Sequence, residues 1–190
     1  MCHNFKKQLY LFETCYIFKD VNKKFVGRHY DIVIAGGGMV GTSLACTLGK
    51  NAKLKEKKVL LLEASASKPF NIGGKYSNRV VSINKSSKEL LERIDSWKHI
   101  EQSRFATVKQ LQVSDALSDA FITFGENDDI SYIVENDLIV KAVSVEVKKC
   151  ENVNVLYNAK VSEYILPDYE NNIVGIKLDN GDSYTCDLLM

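Results

Sequence analysis

The chain has 190 residues, of which 45% are hydrophobic and 26% are charged, with eleven glycines and two prolines. This composition excludes disordered, collagen-like and repeat proteins and predicts a folded globular chain of one domain, or of two that interleave. Lysine plus arginine numbers 25 and aspartate plus glutamate 24, so the chain lacks the strong positive field of a nucleic-acid-binding protein. We therefore expect no nucleic-acid partner.

The cysteines and the apolar runs exclude further classes. Cysteines stand at positions 2, 15, 46, 150 and 186, without the C-x-x-C pairs or nearby histidines typical of zinc sites and without a disulfide framework. We expect no metal site and a reducing compartment. No apolar run approaches the roughly 18–20 residues that span a bilayer, so the sequence predicts no transmembrane helix.

Residues 1–29 precede the first strong strand signal. They carry basic residues among aromatic and apolar ones, opposed by only Glu13 and Asp20. Such a segment is compatible with a mitochondrial presequence, although presequences are usually richer in arginine. A simple N-terminal extension is the alternative that the sequence leaves open.

A βαβ unit is predicted over residues 30–63. Residues 30–35 are an apolar β-branched run, glycines follow at once, and Val40, Leu44 and Leu48 then repeat at helical spacing within residues 39–50. Residues 59–63 give a continuous apolar run ending in an acid, which is typical of a buried parallel strand.

The rest of the pattern predicts mixed helices and strands. Turn residues and the lack of a hydrophobic period indicate a loop over 65–78. A capping box from Ser86 to Glu89 predicts a helix over 87–97, with Trp97 in the core. Alternation predicts antiparallel strands at 108–113 and 120–124, in a second sheet. Asn136 is predicted to cap a helix ending at 148. Further strands are predicted at 79–83, 152–157, 161–166, 173–178 and 183–188, the last two joined by a hairpin at Asn180-Gly181.

The strongest motif is G-x-G-x-x-G at Gly36, Gly38 and Gly41, between a predicted strand and a predicted helix. In a dinucleotide site the first glycine permits the tight turn, the second lets the backbone approach the pyrophosphate, and the third lets helix and strand pack closely. Glu63 ends the second strand, where an acid binds the adenosine ribose hydroxyls and disfavours NADP. FAD and NAD share this motif, and a glycine turn in an unrelated α/β domain, with Glu63 merely solvated, is the remaining alternative.

Four sequence segments favour FAD over NAD and over an unrelated glycine turn. In chain order they are YDIVIAGGGMVGTSLACTLG, KKVLLLEA, YSNRVVSIN and SYIVENDLI. Together they resemble the FAD-dependent monooxygenases of ubiquinone biosynthesis, specifically the mitochondrial coenzyme Q6-type, within the p-hydroxybenzoate hydroxylase-like superfamily. The resemblance implies an α/β fold with a Rossmann-like FAD-binding domain, formed by residues 30–107 and 136–190. An antiparallel β-sheet substrate domain, to which residues 108–135 belong, is expected to interleave with it.

The resemblance also implies site residues. The glycines contact the FAD pyrophosphate, Glu63 contacts the ribose, and Arg79 matches an arginine that reaches the cofactor after the long loop, whereas an exposed arginine leading a strand is the alternative. Asn136 lies where the family places a segment near the flavin, and an ordinary helix cap is its alternative. No catalytic residue is assigned, and the three histidines show no partner pattern. The predicted cofactor-binding residues are Gly36, Gly38, Met39, Val40, Gly41, Glu63, Arg79 and Asn136.

For function, the resemblance implies an enzyme in which reduced FAD and O2 hydroxylate, at C5, a polyprenylated 4-hydroxybenzoate-type ring on the path to ubiquinone. Ferredoxin and its reductase would supply electrons, and the enzyme would be peripheral on the matrix side of the mitochondrial inner membrane, within the ubiquinone-biosynthesis complex. A Gly-Ala-Asp-Gly flavin motif expected soon after Leu189 is absent. We therefore expect an N-terminal fragment or short isoform that retains FAD weakly and does not turn over.

Two other functions stay open from the sequence. One is a non-catalytic module that binds a nucleotide or joins the ubiquinone-biosynthesis complex. The other is a different flavin or NAD oxidoreductase that shares only the glycine motif.

Overall fold

A computed structural model of the chain describes residues 16–17, 27–67, 74, 76–125, 129–166 and 174–190. The elements in chain order are β1 (Tyr16–Ile17), β2 (Arg28–Ala35), α1 (Met39–Lys50), a 3-10 turn (Ala52–Leu54), β3 (Val59–Leu62), β4 (Val80–Asn84), α2 (Lys85–Arg93), α3 (Trp97–Glu101), β5 (Ala106–Val108), β6 (Leu111–Ser114), β7 (Phe121–Phe124), β8 (Ser131–Glu135), α4 (Asn136–Val147), β9 (Val153–Leu156), β10 (Val161–Ile165), β11 (Val174–Leu178) and β12 (Ser183–Leu189). The predicted α/β class and the βαβ unit are confirmed.

The largest sheet has the strand order β10-β11-β12-β2-β3-β9, and β1 pairs with the end of β12. Strands β12, β2, β3 and β9 run parallel, whereas β10, β11 and β12 form the predicted antiparallel meander. The chain moves from β2 outward to β3 and β9 and returns as β12 on the other side of β2. Ligands of such sheets bind at the carboxyl ends of the strands, where this order reverses.

Burial of β3 on both faces explains its continuous apolar sequence. Successive side chains of a strand point to opposite faces. Val59 and Leu61 pack into the cluster that contains α1 and α4. Leu60 and Leu62 pack into the cluster that contains the meander. All four residues of β3 are buried, so the strand lies at the centre of a layered α/β core.

Two smaller sheets stand apart from the parallel sheet. Strand β8 pairs antiparallel with β4 and with β5, and β6 pairs antiparallel with β7. The predicted hairpin in a second sheet is therefore confirmed, although its first strand begins at Leu111 rather than at residue 108. Residues Ala106–Val108 belong to a different sheet. The sequence prediction missed β8 altogether.

The predicted helix over 87–97 is wrong in its bounds, because the structure has two helices there. The side-chain oxygen of Asn84 accepts the N–H of Ser87 at 2.9 Å, so α2 begins two residues earlier and the capping box at Ser86 is not used. The helix ends at Arg93, and Asp95 has a φ of 59°, which breaks the helical hydrogen-bond ladder. Trp97 begins α3 and is 3% exposed, which confirms its predicted core position.

A buried carboxylate ties three helices together. Glu146 of α4 is 1% exposed, and its carboxylate lies 3.0 Å from Lys50 Nζ, 2.7 Å from Lys149 Nζ and 2.8 Å from His99 Nε2. Burial alone would raise the pKa of this carboxyl. The hydrogen bonds from Lys149, His99 and Lys50 outweigh burial and lower the pKa to about 2.

The hairpin between β11 and β12 turns at the predicted place. The N–H of Gly181 donates to Leu178 O at 3.0 Å, and Gly181 has a φ of 90°. Of the two residues in the predicted Asn-Gly turn, only Gly181 adopts positive φ. Glycine supplies that conformation without a steric penalty.

Some predictions lie wholly or partly outside the described residues. Most of the N-terminal segment 1–29 does, apart from residues 16–17 and 27–29, and so do parts of the loop over 65–78 and the first residue of the strand over 173–178. Within the described part of the chain, no helix is long and apolar enough to span a bilayer.

Candidate nucleotide-binding site

The glycine motif forms a tight turn between β2 and α1, at the carboxyl edge of the parallel sheet. Gly36 follows the last residue of β2 with a φ of 124°, a conformation that L side chains adopt only with strain. Its N–H donates to Leu62 O at 2.9 Å. Gly38 then serves as the N-cap residue of α1. The turn is thereby fixed against the end of β3.

The three motif glycines are required for different reasons. A Cβ on Gly41 would lie 1.9 Å from the carbonyl oxygen of Gly36, so this residue lets the helix pack against the turn. Gly36 is required by its positive φ. A Cβ on Gly38 would meet nothing within 4 Å, and the φ of Gly38 is −68°. Neither packing nor backbone conformation in the protein itself demands glycine at position 38, and the open space beside it leaves room for a ligand to approach the backbone.

The carboxylate of Glu63 is held beside this turn. Its Oε2 accepts the N–H of Gly37 at 2.8 Å, and its Oε1 accepts the N–H of Ser65 at 2.7 Å. A Cβ on Gly37 would lie 2.7 Å from the Glu63 side chain, so glycine at position 37 makes this contact possible. Sequence reasoning missed Gly37, because the motif treats its position as variable.

The amino end of α1 faces the same region. No acidic side chain occupies its first turn, and Gly38 provides no side-chain cap. The positive end of the helix dipole is therefore available to an anion. Thr42 Oγ1 donates to Gly37 O at 2.8 Å, which fixes the turn to the first turn of the helix.

A cleft of about 570 Å³ opens beside Glu63. It lies between the carboxyl ends of β3 and β9 and the side of α4. Sequence reasoning did not assign its α4 wall. The signal was present, because Asp137, Lys141, Ser144 and Lys148 recur at helical spacing on one polar face. The residues lining the cleft are Gly37, Gly38, Thr42, Leu61, Glu63, Ser65, Ala66, Ser67, Asp137, Val140, Lys141, Ser144, Val145, Val147, Lys148, Val155 and Tyr157.

The other predicted site residues lie in different environments. Val40 is 76% exposed at the start of α1, whereas the Met39 side chain packs against the core. Arg79 is exposed immediately before β4. The cap assigned to Asn136 is wrong, because Glu135 is the N-cap residue of α4 and Asn136 is the first helical residue. The backbone N–H of Asn136 donates instead to Arg79 O at 3.0 Å.

The described histidines contact side chains that are distant in the sequence, and they do not line the cleft. His99 contacts Glu146, and His29 Nδ1 lies 3.0 Å from Thr185 Oγ1. Cys46, Cys150 and Cys186 are free and buried. Burial raises the pKa of Cys46 and of Cys186 to about 12, so these thiols are poor nucleophiles.

The chain is similar to known proteins in sequence and in structure. No family model matches the chain. The chain is 46% identical over 168 residues to ubiquinone biosynthesis monooxygenase COQ6, mitochondrial, of Drosophila melanogaster, covering 86% of this chain and 35% of that protein. It is 42% identical over 142 residues to the human protein of the same name, covering 73% of this chain and 30% of that protein.

Solved structures share the fold at low sequence identity. PqsL of Pseudomonas aeruginosa, described as a probable FAD-dependent monooxygenase, matches with a TM-score of 0.60 at 15% identity, over 84% of this chain and 41% of that chain. The p-nitrophenol 4-monooxygenase PnpA of Pseudomonas putida matches with a TM-score of 0.62 at 19% identity, over 84% and 40%. The fold predicted by resemblance is thus confirmed. The sequence matches likewise confirm the predicted family: the chain is a relative of the COQ6-type ubiquinone biosynthesis monooxygenases and spans about a third of their length.

Proposed function

We propose that this chain binds FAD as part of a monooxygenase of ubiquinone biosynthesis. The arrangement around Gly38 carries the proposal, because open space beside a glycine, the bare amino end of α1 and the carboxylate of Glu63 occur together. These groups match the two ends of an adenosine diphosphate, an anion and a ribose diol. The residues present therefore fit the adenosine half of FAD.

Each group has a distinct role in this proposal. The turn at Gly36, Gly38 and Gly41 brings the backbone and the amino end of α1 to the pyrophosphate, flanked by Met39 and Val40. Glu63 accepts hydrogen bonds from the ribose, and its bonds to Gly37 and Ser65 orient it for this. Arg79 supplies a cation to the cofactor, and Asn136 holds the main chain of Arg79. When bound, FAD supplies the reaction with O2 that hydroxylates an aromatic ring.

The substrate and partners that the sequence resemblance implies are part of the proposal. We assign a polyprenylated 4-hydroxybenzoate-type ring hydroxylated at C5, with O2 as co-substrate and ferredoxin with its reductase as electron source. The names of the relatives include the word mitochondrial. That word supports a mitochondrial location, within which we propose a peripheral position on the matrix side of the inner membrane, in the ubiquinone-biosynthesis complex.

The domain division belongs to the same proposal. Residues 30–107 and 136–190 form the FAD-binding part, and residues 108–135 belong to the substrate-domain sheet. The separate β6–β7 hairpin supports this division, because its strands pair only with each other among the described strands.

A non-catalytic nucleotide-binding or assembly module is the second candidate. It rests on the same turn at Gly36, Gly38 and Gly41, which can bind a nucleotide whether or not a reaction follows. Both candidates include nucleotide binding. Turnover of a phenolic substrate by a chain extended to the length of its relatives separates them.

The test is retention of FAD by the purified chain. The chain is incubated with FAD and desalted, and its visible absorption spectrum is recorded beside Glu63→Gln and Glu163→Gln. We expect the wild type to retain flavin weakly and the Glu163→Gln control, whose exposed carboxylate pairs with Lys177 at 2.7 Å, to retain the same amount. Glu63→Gln should weaken FAD binding roughly tenfold, since a charge-assisted hydrogen bond contributes about 1.5–3 kcal/mol. Equal flavin retention by Glu63→Gln and the wild type would contradict the proposed ribose contact.

A further inference from the structure

An ion pair with a buried carboxylate stands outside the glycine turn, between the last residue of β8 and the segment before β5. Glu135 is 7% exposed. Arg104 Nε donates to Glu135 Oε2 at 2.7 Å, and Arg104 Nη2 donates to Glu135 Oε1 at 3.2 Å. The N–H of Ser77 donates to the same carboxylate. One carboxylate thus binds a guanidinium fork and a backbone amide from two distant parts of the chain.

The position of Glu135 in the chain makes this arrangement notable. Glu135 is the N-cap residue of α4, yet its side chain makes no capping hydrogen bond. The hydrogen bonds from Arg104 hold the pKa of the Glu135 carboxyl below its usual range, against the effect of burial. Burying a charge pair generally adds little net stability. The carboxylate of Glu135 therefore binds Arg104 and Ser77 instead of the first amide groups of α4.

The segment held by this pair leads directly to Arg79. The guanidinium of Arg104 lies 4.2 Å from the ring centre of Tyr76. The N–H of Arg79 donates to Ser77 Oγ at 3.3 Å, and Arg79 O accepts the N–H of Asn136 at 3.0 Å. The main chain of Arg79 is therefore fixed on both sides.

The side chain of Arg79, by contrast, is left available. Arg79 is exposed, and among the residues that the structure describes no carboxylate pairs with its guanidinium. The segment also reaches the cleft, because Ser77 Oγ donates to Asp137 Oδ2 at 3.4 Å and Asp137 lines the cleft. The two arginines therefore differ: Arg104 is bound to a carboxylate within the protein, whereas Arg79 is exposed two residues after Ser77.

We infer that Glu135 and Arg104 form a positioning pair that fixes residues 76–79, so that Arg79 meets an anionic group of the bound dinucleotide. This inference rests on the proposed FAD binding. An arginine whose main chain is already ordered loses less entropy when it binds a phosphate, so the ligand is bound more tightly. The bidentate geometry of the pair requires arginine at position 104, because a lysine provides no planar fork.

The experiment is a double-mutant cycle on FAD affinity, measured by fluorescence anisotropy of FAD with the full chain. The variants are Arg79→Ala, Glu135→Gln, the double variant and Arg104→Lys, with Glu163→Gln as the exposed-pair control. Arg79→Ala should weaken binding about tenfold, as expected for one Arg–phosphate contact. Glu135→Gln and Arg104→Lys should each weaken it several-fold. In the Arg79→Ala background, Glu135→Gln should have no further effect.

Urea unfolding of each variant shows that the affinities refer to folded chains, and Arg104→Lys replaces Glu135→Gln in the cycle if the latter does not fold. A purely structural role would give the same fold-change with and without Arg79, and that outcome overturns the inference. Unchanged affinity in Arg79→Ala, or in both pair variants, also overturns it, while FAD binding itself stands. Absence of FAD binding by the wild-type chain overturns the proposed function together with this inference.

Discussion

A Gly41→Ala substitution would place a methyl carbon 1.9 Å from the carbonyl oxygen of Gly36, whereas real Cβ contacts essentially never fall below 3.0 Å. The oxygen and the methyl group would have to separate by more than 1 Å. The turn resists such a shift, because the N–H of Gly36 is bonded to Leu62 O at 2.9 Å and helix α1 is packed in the core.

We expect Gly41→Ala to lower the free energy of unfolding by about 3 kcal/mol, at the upper end for overpacking. For a chain of this size, that loss corresponds to a fall in Tm of roughly 6–12 °C. Urea unfolding followed by circular dichroism, together with a thermal scan, measures both quantities.

Gly38→Ala is the matched control, because the added methyl group would meet nothing within 4 Å. The backbone at Gly38 is already suited to alanine, so we expect a change in stability of under about 1 kcal/mol. Its FAD affinity should nevertheless fall. Equal destabilisation by the two substitutions, or a loss below about 1 kcal/mol for Gly41→Ala, would refute the division of roles between these glycines.

Three further predictions concern stability. Because the pKa of Glu146 is lowered in the fold, its carboxylate stabilises the folded state above the ordinary pKa of a glutamate, and this contribution is lost as pH falls towards about 2. In urea unfolding, Glu146→Gln should therefore lower the free energy of unfolding by roughly 3 kcal/mol at pH 7 and by much less near pH 2. The same loss at both pH values would contradict this. Asn84→Ala should lower the free energy of unfolding by about 1 kcal/mol because the cap of α2 is lost, whereas Ser86→Ala should lower it by under about 0.5 kcal/mol. The reverse order would show that the capping box at Ser86 is the cap that the helix uses. Gly181→Ala should lower the free energy of unfolding by about 1–2 kcal/mol, because alanine is strained at the positive φ of this position. An unchanged free energy of unfolding would contradict this explanation.

The local patterns of the chain were sufficient to predict the nucleotide turn. Gly36, Gly38 and Gly41 act through backbone conformation and contacts within a few residues, and the strand before them and the helix after them have unmistakable periods. Glu63 was predictable for the same reason, since it ends a buried strand. The four sequence blocks extended this local reading to the family.

Competition between neighbouring signals decided the helix starts, and sequence reasoning chose wrongly. Ser86 and Asn84 are both good caps, but Asn84 ends β4, so its backbone is already extended as a cap requires. For the same reason the N-cap residue of α4 is Glu135 and not the predicted Asn136, because β8 runs directly into α4. That strand was missed since its short apolar run adjoins a stronger helical pattern.

Long-range partners were beyond the sequence by itself. Nothing local indicates that Glu135 meets Arg104, 31 positions away, or that the polar face of α4 forms a wall of the cleft beside Glu63. The sequence determined the βαβ unit, its glycine turn and its acidic strand end, because these depend on backbone sterics and on hydrophobic period. The tertiary structure alone decided which charges are buried together and which arginine, among the described residues, pairs with a carboxylate, because those contacts depend on how distant elements pack.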